Sequence, residues 1–252
     1  MQVVENPGAG GGNRLGKAVW LTPLVVGLAA GTLFLVFPEI DLAAARLFHA
    51  PETGFVGQRL GWVRALRQAF VVVYFGTIAL CLAGLVLTWR GRLQWLRLGR
   101  VQWVFLAACL AAGPGLVANL ILKDQWGRAR PTQIVEFGGT KAFTPPLLPA
   151  SQCRRNCSFI SGEAASTYVT FYAAAVLVPQ WSVPLVIAGT LGGLATGLVR
   201  MSQGAHFLSD VVFAGVFMAL IVLLVRALVL RDRRSADPIA PVPIERAPDP
   251  QP

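Results

Sequence analysis

Residues 200–210 read RMSQGAHFLSD and join two apolar runs, so they bear on both the fold and the chemistry. Arg200 closes the run at 185–199, and the next run opens at Phe207. His206 is one of only 2 histidines in 252 residues, and Asp210 follows it by four positions. On a helix that spacing puts carboxylate and imidazole on one face. An Asp held against one ring nitrogen fixes the tautomer and leaves the other nitrogen free to attack an electrophile. The same residues also fit a helix cap at a membrane surface, with an Arg snorkelling beside it.

Working outward, apolar runs recur at 18–37, 69–88, 101–122, 163–178, 185–199 and 207–230. The first is long enough to cross a bilayer at about 20 residues. It has no small-residue cleavage site before Pro38, so it reads as a retained helix. The pattern predicts an all-α integral membrane six-helix bundle over 18–230. A polar, Gly-rich leader at 1–17 and a basic, Pro-rich tail at 231–252 are both expected to be disordered. Within the loop at 38–68, GWVRALR at 61–67 reads as a short interfacial helix.

Composition agrees. The chain is 55% hydrophobic and 13% charged, with mean hydropathy +0.60, too apolar for an ordinary soluble domain. Its net charge of +10 needs no nucleic-acid partner, because cytoplasmic loops of membrane proteins carry such an excess. Arg90, Arg92, Arg97 and Arg100 fall between the second and third runs without an acid among them. Together with Arg231, Arg233 and Arg234 they predict cytoplasmic termini, which sets 123–162 and the turn at 200–206 outside. Arg46, Arg59, Arg64 and Arg67 run against that orientation. The four cysteines have no zinc spacing, and no metal or cofactor is expected. Cys153 and Cys157 share the long outward loop, where an oxidising compartment lets them pair. Trp126, Phe137, Phe143 and Phe159 argue that this loop is ordered.

Two more segments reach the outer face. KDQWGRARP places Lys123, Arg128 and Arg130 within one loop start, and Pro131 stiffens the backbone of Arg130. A fixed guanidinium clamps phosphate oxygens bidentately, although clustered cations at a membrane edge also bind headgroups. In CSFISGEAAS, Ser161 reads as a helix N-cap and Gly162 permits close backbone approach, and such a helix start attracts anions.

These segments resemble the type-2 phosphatidic acid phosphatase superfamily of membrane phosphatases. K-x6-R-P is matched at Lys123 through Pro131. P-S-G-H is matched as Ile160, Ser161, Gly162, Glu163, and S-R-x5-H-x3-D at Arg200, His206 and Asp210, with Val199 in place of the Ser. The resemblance implies that His206 forms a phosphohistidine, oriented by Asp210. It implies that Lys123, Arg130, Arg200, Ser161 and Gly162 bind the phosphate. Glu163 stands where the family has an acid His. It is a tuned acid, or the leaving group needs little protonation, or the acid lies elsewhere, or the site is inactive. The expected substrate is a lipid phosphate, reached at the periplasmic face of a bacterial inner membrane. The stretch FGGTKAFTPP…CRRNCSFISGEAAS further resembles bacterial members grouped with lipid A 4'-phosphatases. Undecaprenyl diphosphate and phosphatidylglycerophosphate are the alternative substrates. A non-catalytic lipid-phosphate binder or transporter is the rival class, though spans almost free of ionisable residues speak against transport. Oligomeric state is left open.

Overall fold

The computed structural model describes residues 11–91 and 98–230, with side chains from residue 21 onward. Residues 1–10 of the expected leader, the whole tail, and Arg92 and Arg97 lie outside the described residues.

The chain is mostly helical. In order come α1 (Gly11–Val36), α2 (Glu39–Arg46), α3 (Val56–Arg59), α4 (Gly61–Trp89), α5 (Arg100–Leu110), α6 (Gly162–Leu177), α7 (Ser182–Ser202) and α8 (Leu208–Val229). Among the described residues the only paired strands are a two-residue hairpin, His49–Ala50 against Gly54–Phe55. Four spans pass on length and hydropathy: Gly61–Trp89, Arg100–Lys123, Pro179–Ser202 and Leu208–Val229. A fifth is possible if Leu21–Val36 and Glu39–Arg46, bent by 85°, count as one. The sequence pattern had suggested six. The shortfall has a physical cause at α6, whose 16 residues extend about 24 Å against a hydrocarbon core of about 30 Å.

Two further expectations need correction. Helix α1 begins at Gly11, inside the stretch read as a disordered leader, because extending an existing helix is cheap compared with nucleating one. The separate helix expected at 61–67 is instead the first two turns of α4. At 29 residues, α4 is about 43 Å long and outruns the hydrocarbon, so Arg64 and Arg67 extend it without breaking it. Helix α5 continues without a break as a π-helix, Ala111–Lys123. Pro114 cannot donate to the carbonyl one α-turn back, which favours the wider winding there.

Helices α6, α7 and α8 pack into the core beside α5. Gly189, Gly193 and Gly197 form a stripe on α7, where an added Cβ would run into Phe171, Tyr168 and Val211 respectively. Small residues at such spacing let helices approach closely in lipid, where no hydrophobic force drives them together. The loop between Lys123 and Gly162 is folded over one end of this bundle. Phe159 is buried against Trp126 at 5.2 Å, and Phe143 meets Phe207 at 5.4 Å. Ala45, Phe55, Ile134, Phe137 and Phe207 build a second small core beneath the loop.

Candidate active site

Arg200–Asp210 turns out to be two helix caps placed back to back. Helix α7 ends in a Schellman motif: Ala205 N–H donates to Arg200 O at 3.0 Å and Gly204 N–H to Met201 O at 2.8 Å. Gly204 has φ 65°, a left-handed conformation that glycine adopts without penalty. Two residues later Phe207 N–H donates to Asp210 Oδ2 at 2.8 Å, closing the first turn of α8. His206 therefore stands between two helices rather than on one, which differs from the helical stacking inferred from spacing. The i, i+4 contact survives across the cap, with Nδ1 3.6 Å from Asp210 Oδ2.

The nearer partner of Nδ1 is a carbonyl, Ser158 O at 2.7 Å. A donor at Nδ1 leaves the lone pair on Nε2, and Nε2 has no hydrogen-bond partner among the described residues. His206 is 1% exposed. Burial pushes its imidazole below the ordinary range, against the upward pull of Asp210 and Glu163, so the neutral form is favoured.

Behind the imidazole lies a buried ionic network. Asp210 accepts from Ser158 Oγ at 2.5 Å and from Arg128 Nη1 at 2.6 Å. Arg128 also pairs with Asp41 at 2.7 Å and donates to Ser209 Oγ at 2.8 Å and Thr144 O at 2.9 Å. Asp41 in turn accepts from Ser209 N–H at 2.8 Å and from Ser209 Oγ at 2.5 Å. Arg128, Asp41 and Asp210 are all fully buried. Asp41 and Ser158 were not singled out from the sequence. The available signal for Asp41 was an acid just after the first apolar run, in a chain with only 12 acidic residues.

In front of the imidazole is an open cavity of about 280 Å³, lined by Lys123, Arg130, Arg200, Glu163 and Gly162 among others. The end of the π-helix brings Lys123 over the start of α6, so that a Cβ on Gly162 would sit 2.6 Å from Lys123 Nζ. Ser161 caps α6, its Oγ accepting from Ala164 N–H at 3.4 Å, while its own N–H is used by Asp210 O at 3.2 Å. Arg130 is held by Asn156, whose carbonyl and side-chain oxygens accept at 2.7 Å each. Asn156 lies in the small loop closed by the Cys153–Cys157 disulfide, and Cys157 N–H donates to Lys123 O at 2.9 Å. The predicted cysteine pair thus fastens the seat of two cations. Glu163 places Oε1 3.2 Å from Arg200 Nε and 3.4 Å from Arg67 Nε, and Oε2 4.0 Å from His206 Nε2. Five of the eight residues singled out for chemistry, Lys123, Arg130, Gly162, Glu163 and Arg200, line this cavity, while His206 and Ser161 are buried beside it and Asp210 lies in the network behind. The third cation of the first motif, Arg128, also belongs to that network.

The far wall is Phe70, Val71, Tyr74 and Phe75 of α4, with Arg67 at its rim. Arg90 and Arg100 flank the α4–α5 link at the opposite end of the bundle, one helix length away.

A bundle of apolar helices with a buried imidazole beside a cavity lined by three cations defines a membrane enzyme of anionic substrates. The chain belongs to the PAP2 superfamily, whose model matches residues 101–234, and it is a membrane phosphatase. It is similar to a lipid A 4'-phosphatase of Francisella tularensis subsp. novicida, 35% identical over 215 residues, covering 83% of this chain and 95% of the relative. It also resembles a lipid A 4'-phosphatase of Rhizobium leguminosarum, 42% identical over 121 residues, 45% of this chain and 51% of that one. Among solved structures, a transmembrane PAP2-type phosphatidylglycerolphosphate phosphatase from Bacillus subtilis matches with TM-score 0.51. It is 16% identical, covering 87% of this chain and 98% of that one, and shows a shared fold.

Proposed function

We propose that this phosphatase removes a phosphate monoester from a lipid A-type glycolipid at the periplasmic face of a bacterial inner membrane. The observation that carries this reading is the cationic cavity with one apolar wall on α4, where Phe75 is 62% exposed toward the surroundings of the bundle. A phosphorylated headgroup attached to acyl chains fits both surfaces at once. The similarity to lipid A 4'-phosphatases, including one over nearly its whole length, supports the choice of glycolipid.

In this reading α1, α4, α5 with its π continuation, α6, α7 and α8 are six spans with both termini cytoplasmic, α6 being a short span that local thinning of the bilayer accommodates. The Arg90–Arg100 link lies inside by the positive-inside rule. Residues 18–230 are the phosphatase domain.

Chemically, His206 Nε2 attacks phosphorus as the ester P–O bond breaks, and the leaving oxygen takes up a proton. Asp210 and the Ser158 carbonyl hold the imidazole and stabilise the positive charge it gains. Lys123, Arg130 and Arg200, with the Ser161 hydroxyl and the Gly162 N–H at the start of α6, stabilise the oxygens on which charge gathers. Glu163 is a carboxylate beside Arg200 in the resting site, so the leaving oxygen draws its proton from solvent. The same carboxylate accepts the proton of the water that hydrolyses the phosphohistidine, releasing inorganic phosphate and free His206.

The test is phosphate release by the detergent-solubilised chain from bisphosphorylated lipid A, with mass spectrometry locating the lost phosphate. Loss from the 4' position is expected. Faster turnover of undecaprenyl diphosphate or phosphatidylglycerophosphate would overturn the glycolipid assignment. Labelling of a Lys141→Cys variant from the cytoplasmic side would overturn the topology.

A further inference from the structure

Glu163 stands where a reacting phosphate must go. Nucleophile and phosphorus approach to about 3–3.5 Å before reaction, and a proton donor lies about 2.6–3.2 Å beyond the leaving oxygen. Those two lengths together already exceed the 4.0 Å between His206 Nε2 and Glu163 Oε2. Arg200, which must meet phosphate oxygens, instead has its Nε 3.2 Å from Glu163 Oε1, an ion pair by distance without hydrogen-bond alignment. The carboxylate therefore occupies the phosphate seat, on the same cation, and has to leave it when substrate enters.

The structure supplies one place for it to go. Arg67 Nε is 3.4 Å from the same Oε1, and its side chain is 46% exposed against 10% for Arg200 and 18% for Glu163. Arg67 thus marks the outward direction, along the rim of the apolar wall formed by Phe70 and Val71. Without it, a displaced carboxylate would face that wall and an incoming phosphate with no counter-charge, and both are unfavourable.

We propose that the Glu163 carboxylate is an internal occupant of the phosphate seat, and that Arg67 is the positioning residue that receives it when substrate phosphate takes over Arg200. The exchange rests on the phosphate seat proposed above, and needs only rotation of the Glu163 side chain. Arg67 acts through Glu163 and does not touch the reacting atoms.

The experiment is isothermal titration of inorganic phosphate into the detergent-solubilised full chain, read as a double-mutant cycle. Titration reports binding even where turnover is lost. Glu163→Gln removes the competing charge and should tighten phosphate by about tenfold, within the range found for neighbouring charges. Arg67→Ala should weaken phosphate by about tenfold in the wild-type background and by less than about twofold in the Glu163→Gln background. Arg67→Lys should restore most of the loss. In steady-state assays the Arg67→Ala change should appear in KM with kcat little altered. Equal losses from Arg67→Ala in both backgrounds would mean that Arg67 binds phosphate directly, and would overturn the exchange alone. Unchanged or weaker phosphate binding by Glu163→Gln would overturn it as well. Phosphate binding that is indifferent to Arg200→Ala would remove the seat, and the functional reading with it.

Discussion

Arg128 and Arg130 are two residues apart in one motif, yet they serve opposite regions. Arg128 is sealed in the network behind His206, every bond directed to a fixed protein acceptor. Arg130 faces the cavity, held from one side by Asn156. What differs is burial and satisfaction. A buried, fully paired network fixes geometry, because removing either partner strands a buried charge. A cavity in which Arg200 is paired with a single carboxylate can exchange that anion for another. A count of cations would not have separated the two roles.

The contrast can be broken or sharpened by substitution. The largest effect is expected at the boundary between the regions. His206→Ala should abolish turnover, by about 10⁴ or more, with unchanged melting in detergent. Retention of a tenth of the wild-type rate would end the phosphohistidine proposal. Next, Arg128→Met should lower the melting midpoint first and activity as a consequence, since breaking a buried pair costs about 3–5 kcal/mol. If the variant melts like wild type, the network is not the scaffold described. Arg200→Ala should do the reverse, cutting kcat by about 10²–10³ with little loss of melting temperature.

The smallest effect concerns pH. Because burial lowers the His206 pKa, the imidazole stays neutral to more acidic conditions than a free histidine. Activity is lost only as pH falls through that lowered value, so the acid limb of kcat/KM should lie below about 6.5. A limb at or above that value would show the imidazole to be less dry than its surroundings suggest.

Much of the cavity was legible because its residues lie in short chain segments whose spacing is itself a signal. Lys123 to Pro131, Ser161 to Glu163 and Arg200 to Asp210 each carry their order on the page. The supporting groups were not legible, since each meets its partner across the chain. Asp41 reaches Arg128 over 87 positions, Arg67 reaches Glu163 over 96, and the Ser158 carbonyl reaches His206 over 48. Hydropathy located the apolar helices well. It missed the extent of α4, because Arg64 and Arg67 look like an interruption while their long side chains leave the helix intact. It also missed the π winding of Ala111–Lys123, for which the only hint was the GPG triplet at 113–115.

The Asp41–Arg128 pair bears on how separable this enzyme is into parts. The family match begins at residue 101, whereas Asp41 comes from α2. A chimera that transplanted only 101–234 onto foreign leading helices would import a guanidinium without its counter-ion, directly behind the reactive imidazole. The boundary of the inherited module and the boundary of the working unit therefore do not coincide. A recombinant that respects the second must begin its crossover before α2.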